Sequence, residues 1–193
     1  MIIWINGAFG SGKTTLVTEL HRRLPDALLF DPEDIGFVLR GIVEVPEGDF
    51  QNIPLWRTQV ASMAQGLVEG YGRPVLAPMT LVRRDYADEI FGALEKAALP
   101  VHHFFLDVPA AVLEHRLDHR VVAPDDPERD EAARRWTKER IPECVAAVAG
   151  LREDTVLLDG ELPTDELADL VLERTGLAQG PVVELPSATR RLA

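Results

Sequence analysis

Residues 7–14 of the chain read Gly7-Ala8-Phe9-Gly10-Ser11-Gly12-Lys13-Thr14. A glycine, any four residues and then Gly-Lys-Ser/Thr form the pattern of a phosphate-binding loop. A short apolar run at 2–5 precedes the loop, and apolar residues follow it at helical spacing, at positions 16, 17, 20 and 24. A strand, a glycine turn and a helix are the context that this pattern requires. The sequence therefore predicts a nucleotide-binding site.

Each part of the loop has a chemical task. Glycine lets backbone N–H groups turn inward around phosphate oxygens, where a side chain would clash. The helix that follows adds the partial positive charge of its N-terminus. Lys13 is expected to reach the β- and γ-phosphates of ATP, and the Thr14 hydroxyl to ligate Mg²⁺. The residues expected to contact the nucleotide here are Gly7, Ala8, Phe9, Gly10, Ser11, Gly12, Lys13, Thr14 and Thr15.

Composition narrows the possible partners. With 193 residues, 46% of them hydrophobic, the chain is long enough for one domain with a substantial core. The net charge of −12 disfavours binding to nucleic acid, so a small-molecule ligand is expected. Cys144 is the single cysteine, which excludes an intrachain disulfide. No apolar run reaches the ~18 residues of a membrane-spanning helix and no signal peptide is evident, so a cytoplasmic location is expected.

Apolar runs alternate with helical patterns along the chain. The expected strands are 2–5, 27–30, 75–77, 101–106 and 156–158. The expected helices are 13–23, roughly 34–43, 55–71, 85–98, 110–119, 128–149 and 164–175. This order predicts an α/β, three-layer fold of the P-loop nucleoside/nucleotide-kinase type, with a five-stranded parallel sheet. The domain is expected to cover residues 1–178, followed by a tail at 179–193.

The segment 121–131 is the most polar interruption. It reads VVAPDDPERDE and lies between two arginine-bearing helical patterns. Its position and composition are typical of a lid that closes over a nucleotide, placed at about 120–135. An ordinary acidic surface loop is the alternative.

Other nucleotide-binding classes fit the sequence less well. A small GTPase needs a DxxG turn, and no aspartate in the chain has a glycine three residues later. Its base-reading motif is also missing, since 137–140 reads TKER. ABC-type and AAA-type ATPases are set aside because they need longer chains and further signatures. What remains is the small-molecule kinases and their non-catalytic relatives.

Asp31 is the expected acceptor-side acid. It follows the second apolar run directly, and ligands of parallel sheets bind beyond the carboxyl ends of the strands. A carboxylate there can take the proton of a hydroxyl that attacks the γ-phosphate. Alternatively, Asp31 only caps the next helix, which Pro32 also fits. Glu33 and Asp34 are interpreted as first-turn helix charges.

Several arginines are further candidates. Arg116 and Arg120 lie four residues apart on one helical face, where one could stack on adenine and the other reach phosphate. Ion pairs with neighbouring acids are the alternative. Arg134 and Arg135 are weaker candidates for phosphate clamps. The expected acceptor-site residues are Arg57, Thr80 and Arg83, beside Asp31.

Longer stretches carry a family resemblance. The opening MIIWINGAFGSGKT at 1–14, PLWR at 54–57, PMT at 78–80 and VHHF at 101–104 closely resemble tunicamycin-resistance proteins. The match runs from residue 1 to about 120 and less distinctly to the fifth strand, and the lid and the tail match poorly. The resemblance implies an ATP-binding, nucleoside-kinase-like protein that gives resistance to a uridine-containing nucleoside antibiotic. By the same resemblance, Gly12, Lys13 and Thr14 hold phosphate and Mg²⁺, Asp31 is the acceptor-side acid, and Arg116 and Arg120 are lid arginines.

The combined prediction is an ATP- and Mg²⁺-dependent phosphotransferase with a nucleoside-like antibiotic as acceptor. Lys13, Asp31 and Arg120 are its expected catalytic residues. One alternative is a protein that sequesters the antibiotic and keeps ATP as a structural ligand. This alternative is favoured by the third strand, which ends in Ala77-Pro78-Met79-Thr80 without the acid that many P-loop kinases carry there. A sugar or metabolite kinase is the other.

Overall fold

A computed structural model describes residues 1–177 of the protein. Its strands are Ile2–Gly7 (β1), Leu28–Leu29 (β2), Val75–Pro78 (β3), Val101–Asp107 (β4) and Val156–Asp159 (β5). Its helices are Lys13–Arg23 (α1), Pro32–Arg40 (α2), Pro54–Tyr71 (α3), Arg84–Lys96 (α4), Ala110–Asp118 (α5), Pro127–Glu139 (α6), Ile141–Ala146 (α7) and Thr164–Thr175 (α8). The tail expected at 179–193 lies outside the described residues.

The strands form one parallel sheet in the order β2-β3-β1-β4-β5. β1 lies at the centre, where Ile5 aligns with Pro78 of β3 and Phe104 of β4. Because parallel strands all end at the same edge, the phosphate loop after β1, Asp31 after β2 and Thr80 after β3 meet there. The expected five-stranded P-loop kinase fold is confirmed.

Alternate residues of β1 enter the cores on opposite faces of the sheet, as the pleat of a strand requires. Ile2 and Trp4 pack in the cluster that α3 and α4 cover. Ile3 and Ile5 pack in the cluster that α1 and α8 cover. These layers hold the sheet edge, and with it the site, on a rigid base. No helix among residues 1–177 is long and apolar enough to cross a membrane.

Two expected boundaries were wrong for identifiable reasons. The helix predicted at 128–149 is divided into α6, α7 and a 3₁₀ turn at Ala147–Gly150. Pro142 is in the first turn of α7 and cannot continue a helix from α6, because it lacks an N–H. The helix predicted from about 34 begins at Pro32, since Asp31 caps it and proline suits the first helical position.

The segment between α2 and α3 forms one wall of the site. It contains 3₁₀ turns at Pro46–Gly48 and Phe50–Asn52. The Phe50 ring lies against Gly36 of α2, where an added Cβ would be only 2.5 Å from the ring. A glycine at position 36 is therefore what allows this wall to pack closely on α2.

Candidate functional site

The phosphate loop has the backbone that its glycines permit. Gly7, Gly10 and Gly12 have φ angles of 142°, 80° and 102°, which side chains disfavour. A Cβ at Gly7 would also lie 2.7 Å from Ser11 Oγ and 3.0 Å from the Leu106 carbonyl oxygen. Ser11 Oγ is buried and has no hydrogen-bond partner among the described residues. A cradle closed to side chains, with a polar atom left over, fits an oxygen-rich ligand such as a phosphate chain.

Lys13 is retracted onto the loop. Its Nζ donates hydrogen bonds to the Gly7 carbonyl at 3.0 Å and the Ala8 carbonyl at 2.8 Å. Burial lowers the pKa of Lys13 to about 8, although the negative charges of Glu33 and Asp31 partly offset this. Neutral carbonyls compensate a buried ammonium poorly, so an anionic ligand would stabilise it.

The loop opens into a cavity of about 1050 Å³ at the carboxyl edge of the sheet. One end is polar and contains Lys13, Thr14, Asp31, Glu33, Thr80 and Arg120. The wall from α2 and the following segment includes Phe37, Arg40, Ile42, Val43, Val45 and Phe50. The lining from α6 includes Arg129, Ala132, Ala133 and Trp136. The same cavity therefore combines the polar groups of the phosphate loop with apolar side chains.

Asp31 caps α2, which is one of the two roles that the sequence left open, and it also lies in the cavity wall. Its carboxylate caps α2 by accepting a hydrogen bond from the Glu33 backbone N–H at 2.9 Å. Burial raises the pKa of Asp31, while the bond from the Glu33 amide and the charge of Lys13 act against that rise.

Glu33 is a site residue that the sequence analysis missed. It lines the polar end of the cavity, and its carboxylate accepts no hydrogen bond from residues 1–177. Burial raises the pKa of Glu33 to about 7, with a further rise from Asp31 and an opposing effect of Lys13 and Arg120. Spacing gave no signal, because residues two apart on a helix do not share a face; the available signal was the position of Glu33 in the first turn of α2, directly after the end of β2.

Thr80, an expected acceptor-site residue, lies against the phosphate loop. Its hydroxyl donates to the Gly7 carbonyl at 2.9 Å, and the residue lines the cavity. The Asn6 side chain holds this segment by donating to the Leu81 carbonyl at 2.7 Å and accepting from the Leu81 N–H at 2.9 Å. Asn6 thereby fixes the end of β3 next to the loop after β1.

Arg57 and Arg83 do not line the cavity in the described part of the chain. Arg57 is buried and pairs with Glu89 at 2.6 Å, and it donates to the Gln51 carbonyl. Arg83 is exposed and pairs with Asp85. Both guanidinium groups lie 4.0 Å from the centre of the Tyr86 ring. Contact between these two arginines and an acceptor stays a prediction, because both guanidinium groups are paired with acids outside the cavity.

The two lid arginines have different surroundings. Arg120 lines the cavity, close enough to Lys13 and Glu33 to affect the pKa of each. Arg116 donates to the carbonyls of Ser11 at 3.3 Å and Gly160 at 3.1 Å. It thus links the phosphate loop to the turn after β5.

The arginines after the expected lid are placed differently from each other. Arg134 pairs with Asp130 at 2.7 Å, and Arg135 is exposed. Arg129, which the sequence analysis did not select, lines the cavity from the first turn of α6.

The segment predicted as a lid is partly helical. α5 ends at Asp118 and α6 begins at Pro127, so the second half of the predicted 121–131 segment belongs to α6. The Asp130 carboxylate accepts hydrogen bonds from the backbone N–H groups of Val122 at 2.6 Å and Ala123 at 3.0 Å. The loop is therefore tied to the helix that follows it. Closure over a nucleotide stays a prediction.

Comparison with models of protein families shows which family the chain belongs to. Residues 2–144 match the model of a family described as AAA domain. The chain belongs to this family. AAA-type ATPases, which are a functional class, were set aside on the sequence, and the family match shows the domain. A comparison with curated protein sequences finds no match.

Solved structures similar to this AAA-domain protein include a tunicamycin-resistance protein and several kinases. The tunicamycin-resistance protein of Deinococcus radiodurans is 28% identical, with a TM-score of 0.71 over 93% of this chain and 98% of that one. A sugar kinase from Janibacter sp. HTCC2649 is 21% identical, with a TM-score of 0.59 over 92% and 95%. The Mycobacterium tuberculosis APS kinase, solved with AMPPNP and APS, is 17% identical, with a TM-score of 0.63 over 91% and 96%. The resemblance to tunicamycin-resistance proteins is confirmed.

The AAA-domain fold thus brings a phosphate cradle, a partly buried lysine and two carboxylates to one cavity. Lys13 and Thr14 begin α1, where the helix N-terminus favours anions. Asp31 and Glu33 reach the same cavity from α2, and Arg120 from the end of α5. The arrangement holds groups that can bind an anionic phosphate chain on one side and accept a proton on the other.

Proposed function

We propose that this AAA-domain protein transfers the γ-phosphoryl group of ATP to a hydroxyl group of a nucleoside-type antibiotic such as tunicamycin. The observation that carries the proposal is the shared cavity, in which Lys13 and Thr14 of the phosphate loop lie beside the carboxylates of Asp31 and Glu33. Phosphoryl transfer needs electrostatic stabilisation of the phosphates and a group that receives the acceptor's proton.

Each residue has a role in this reaction. The phosphate loop holds the ATP phosphates, and Lys13 exchanges the Gly7 and Ala8 carbonyls for β- and γ-phosphate oxygens. The Thr14 hydroxyl ligates Mg²⁺, which supplies charge neutralisation when it is bound. Arg120 adds positive charge near the transferred group. Because β3 ends in Pro78 without an acid, a bound Mg²⁺ would be held by Thr14, the phosphates and water.

Similarity and cavity size support an antibiotic as the acceptor. The Deinococcus radiodurans structure that carries the name of tunicamycin resistance covers 93% of this chain. The cavity of about 1050 Å³ is at the upper end of the roughly 300–1,000 Å³ usual for drug-sized ligands. Its walls include apolar side chains such as Ile42, Val43 and Trp136, which suit a larger molecule than a small polar sugar.

Sequestration without chemistry is the second candidate. The missing acid after β3 favours it, because a less firmly held Mg²⁺ would slow phosphoryl transfer. A protein of this kind would bind the antibiotic stoichiometrically and keep ATP as a structural ligand. A sugar or metabolite kinase is a third candidate, favoured by the similarity in fold to a sugar kinase.

Mass spectrometry separates these candidates. Tunicamycin is incubated with ATP, Mg²⁺ and the wild-type protein or the Lys13→Ala variant, and the antibiotic is examined for the mass gain of one phosphate. The proposal expects a phosphorylated product with the wild type only. Stoichiometric antibiotic binding without product would establish sequestration. Product formed only from sugars in a parallel screen would establish the third candidate.

A further inference from the structure

We infer that Glu33 is the catalytic residue that takes the proton from the acceptor hydroxyl, while Asp31 acts as a positioning residue that holds the start of α2. The inference rests on the proposed phosphoryl transfer and assigns a role to a side chain that sequence reasoning interpreted as a helix charge. Two observations support this assignment: the contacts of the Asp31 and Glu33 carboxylates, and the charged groups that surround these two side chains.

The two carboxylates differ in availability. Asp31 Oδ1 accepts the Glu33 backbone N–H at 2.9 Å, and this bond satisfies a group at the N-terminus of α2. Moving the Asp31 carboxylate toward a substrate would give up the cap. Glu33 lies two residues after Asp31, in the first turn of α2, and it lines the cavity. Neither of its carboxylate oxygens accepts a hydrogen bond from residues 1–177. Its longer side chain can approach a hydroxyl without disturbing the helix.

The charges facing Glu33 suit proton transfer. Lys13 on α1 and Arg120 after α5 act on it as cations, and Asp31 and Asp34 act on it as anions. Triphosphate binding would engage both cations, while Glu33 lines the same cavity without a hydrogen-bond partner among residues 1–177. Burial raises the pKa of Glu33 to about 7. A proton acceptor works best when its pKa lies near the working pH.

The transfer of the γ-phosphoryl group to the acceptor hydroxyl conserves atoms and charge. The acceptor hydroxyl oxygen forms a bond to the γ-phosphorus as the bond between that phosphorus and the β,γ-bridging oxygen breaks. The hydroxyl proton passes to a carboxylate oxygen of Glu33. The products are the phosphorylated acceptor and ADP, and protonated Glu33 returns its proton to water.

The test compares three isosteric variants in the tunicamycin phosphorylation assay, at saturating ATP and from pH 5.5 to 9. Glu33→Gln should lower the rate by at least about 100-fold, keep ATP affinity within about threefold, and lose the acidic limb of the pH–rate profile. Asp31→Asn should lower the rate much less than Glu33→Gln does and should retain the acidic limb, because asparagine caps helices as well as aspartate does. Asp34→Asn is the matched control, since Asp34 is exposed in the same turn and does not line the cavity.

Glu33→Asp covers the case in which the glutamine variant does not fold. It should retain the acidic limb and lose only part of the rate. A Glu33→Gln rate close to that of the wild type would overturn the inference, and so would an Asp31→Asn loss as large as that expected of Glu33→Gln. Absence of product with the wild-type protein would overturn the proposed function and this inference together, and it is recognised before any variant is made.

Discussion

Replacing Glu33 by glutamine should make the protein's stability less sensitive to pH, in an amount that the structure sets. Folding raises the pKa of this carboxyl from 4.5 to about 7, mainly by burial. The folded state therefore holds the proton more tightly than the unfolded chain does. The stability that this provides is complete below pH 4.5 and is lost as the pH rises through 7.

The magnitude follows from the size of the shift. At about 1.4 kcal/mol for each pKa unit, the wild type should lose on the order of 2 kcal/mol from this group between pH 5 and 8, after allowing for water in the cavity. The Glu33→Gln variant has no titrating group at position 33 and should not lose this stability. Relative to the wild type, the variant should therefore gain about 2 kcal/mol over the same interval.

Urea unfolding at pH 5, 6, 7 and 8, followed by circular dichroism, measures this difference. Glu114→Gln on α5 is the matched control, since Glu114 is exposed and lies outside the cavity. The control should stay parallel to the wild type at every pH. If Glu33→Gln also stays parallel, Glu33 is not held in a poorly solvated position, and the account of the polar end of the cavity is wrong.

Three further predictions follow from the site. Lys13→Ala should weaken ATP binding by at least about 2 kcal/mol in titration calorimetry, because a charge-assisted phosphate contact is lost; unchanged affinity in a folded variant would contradict the phosphate-loop assignment. Trp136 lines the cavity in edge contact with Phe9, whereas Trp4 and Trp56 are fully buried. AMPPNP should therefore change tryptophan emission in the wild type but not in Trp136→Phe, and an equal change in both would exclude Trp136 as the reporter. Hydrogen exchange at 121–131 should slow when AMPPNP binds, since the lid is expected to close; slow and equal exchange in both states would identify a fixed loop.

Features with a local cause were predicted well. The phosphate loop depends on glycines within eight consecutive residues, and the structure gives three of them the positive φ angles that side chains resist. The third strand was expected at 75–77, and β3 is Val75–Pro78. The break between α6 and α7 also has a local cause, Pro142, but it was not predicted. The apolar residues across 128–149 keep a helical spacing, and one continuous helix was predicted from that spacing.

Features that depend on direction in space were predicted less well. Arg57 and Arg83 lie near the expected acceptor site in sequence, yet each is held by a neighbouring acid and by the Tyr86 ring. Arg129 and Trp136 lie beyond the sequence motifs that resemble tunicamycin-resistance proteins, and α6 brings them to the cavity wall. The spacing of residues along the chain does not predict which face of a helix lines the cavity, because that face depends on the elements against which the helix packs.

The sequence alone determined the phosphate loop, the order of strands and helices and the position of Asp31 at a strand end, because each is written in neighbouring residues or in a short repeat of apolar positions. Only the tertiary structure decided that Glu33 shares a cavity with Lys13, and that Arg120 enters this cavity while Arg116 supports the loop behind it. The reason is physical. Burial and charge act on a side chain through whatever surrounds it, and those surroundings come from segments that are distant in sequence and meet only when the sheet has formed.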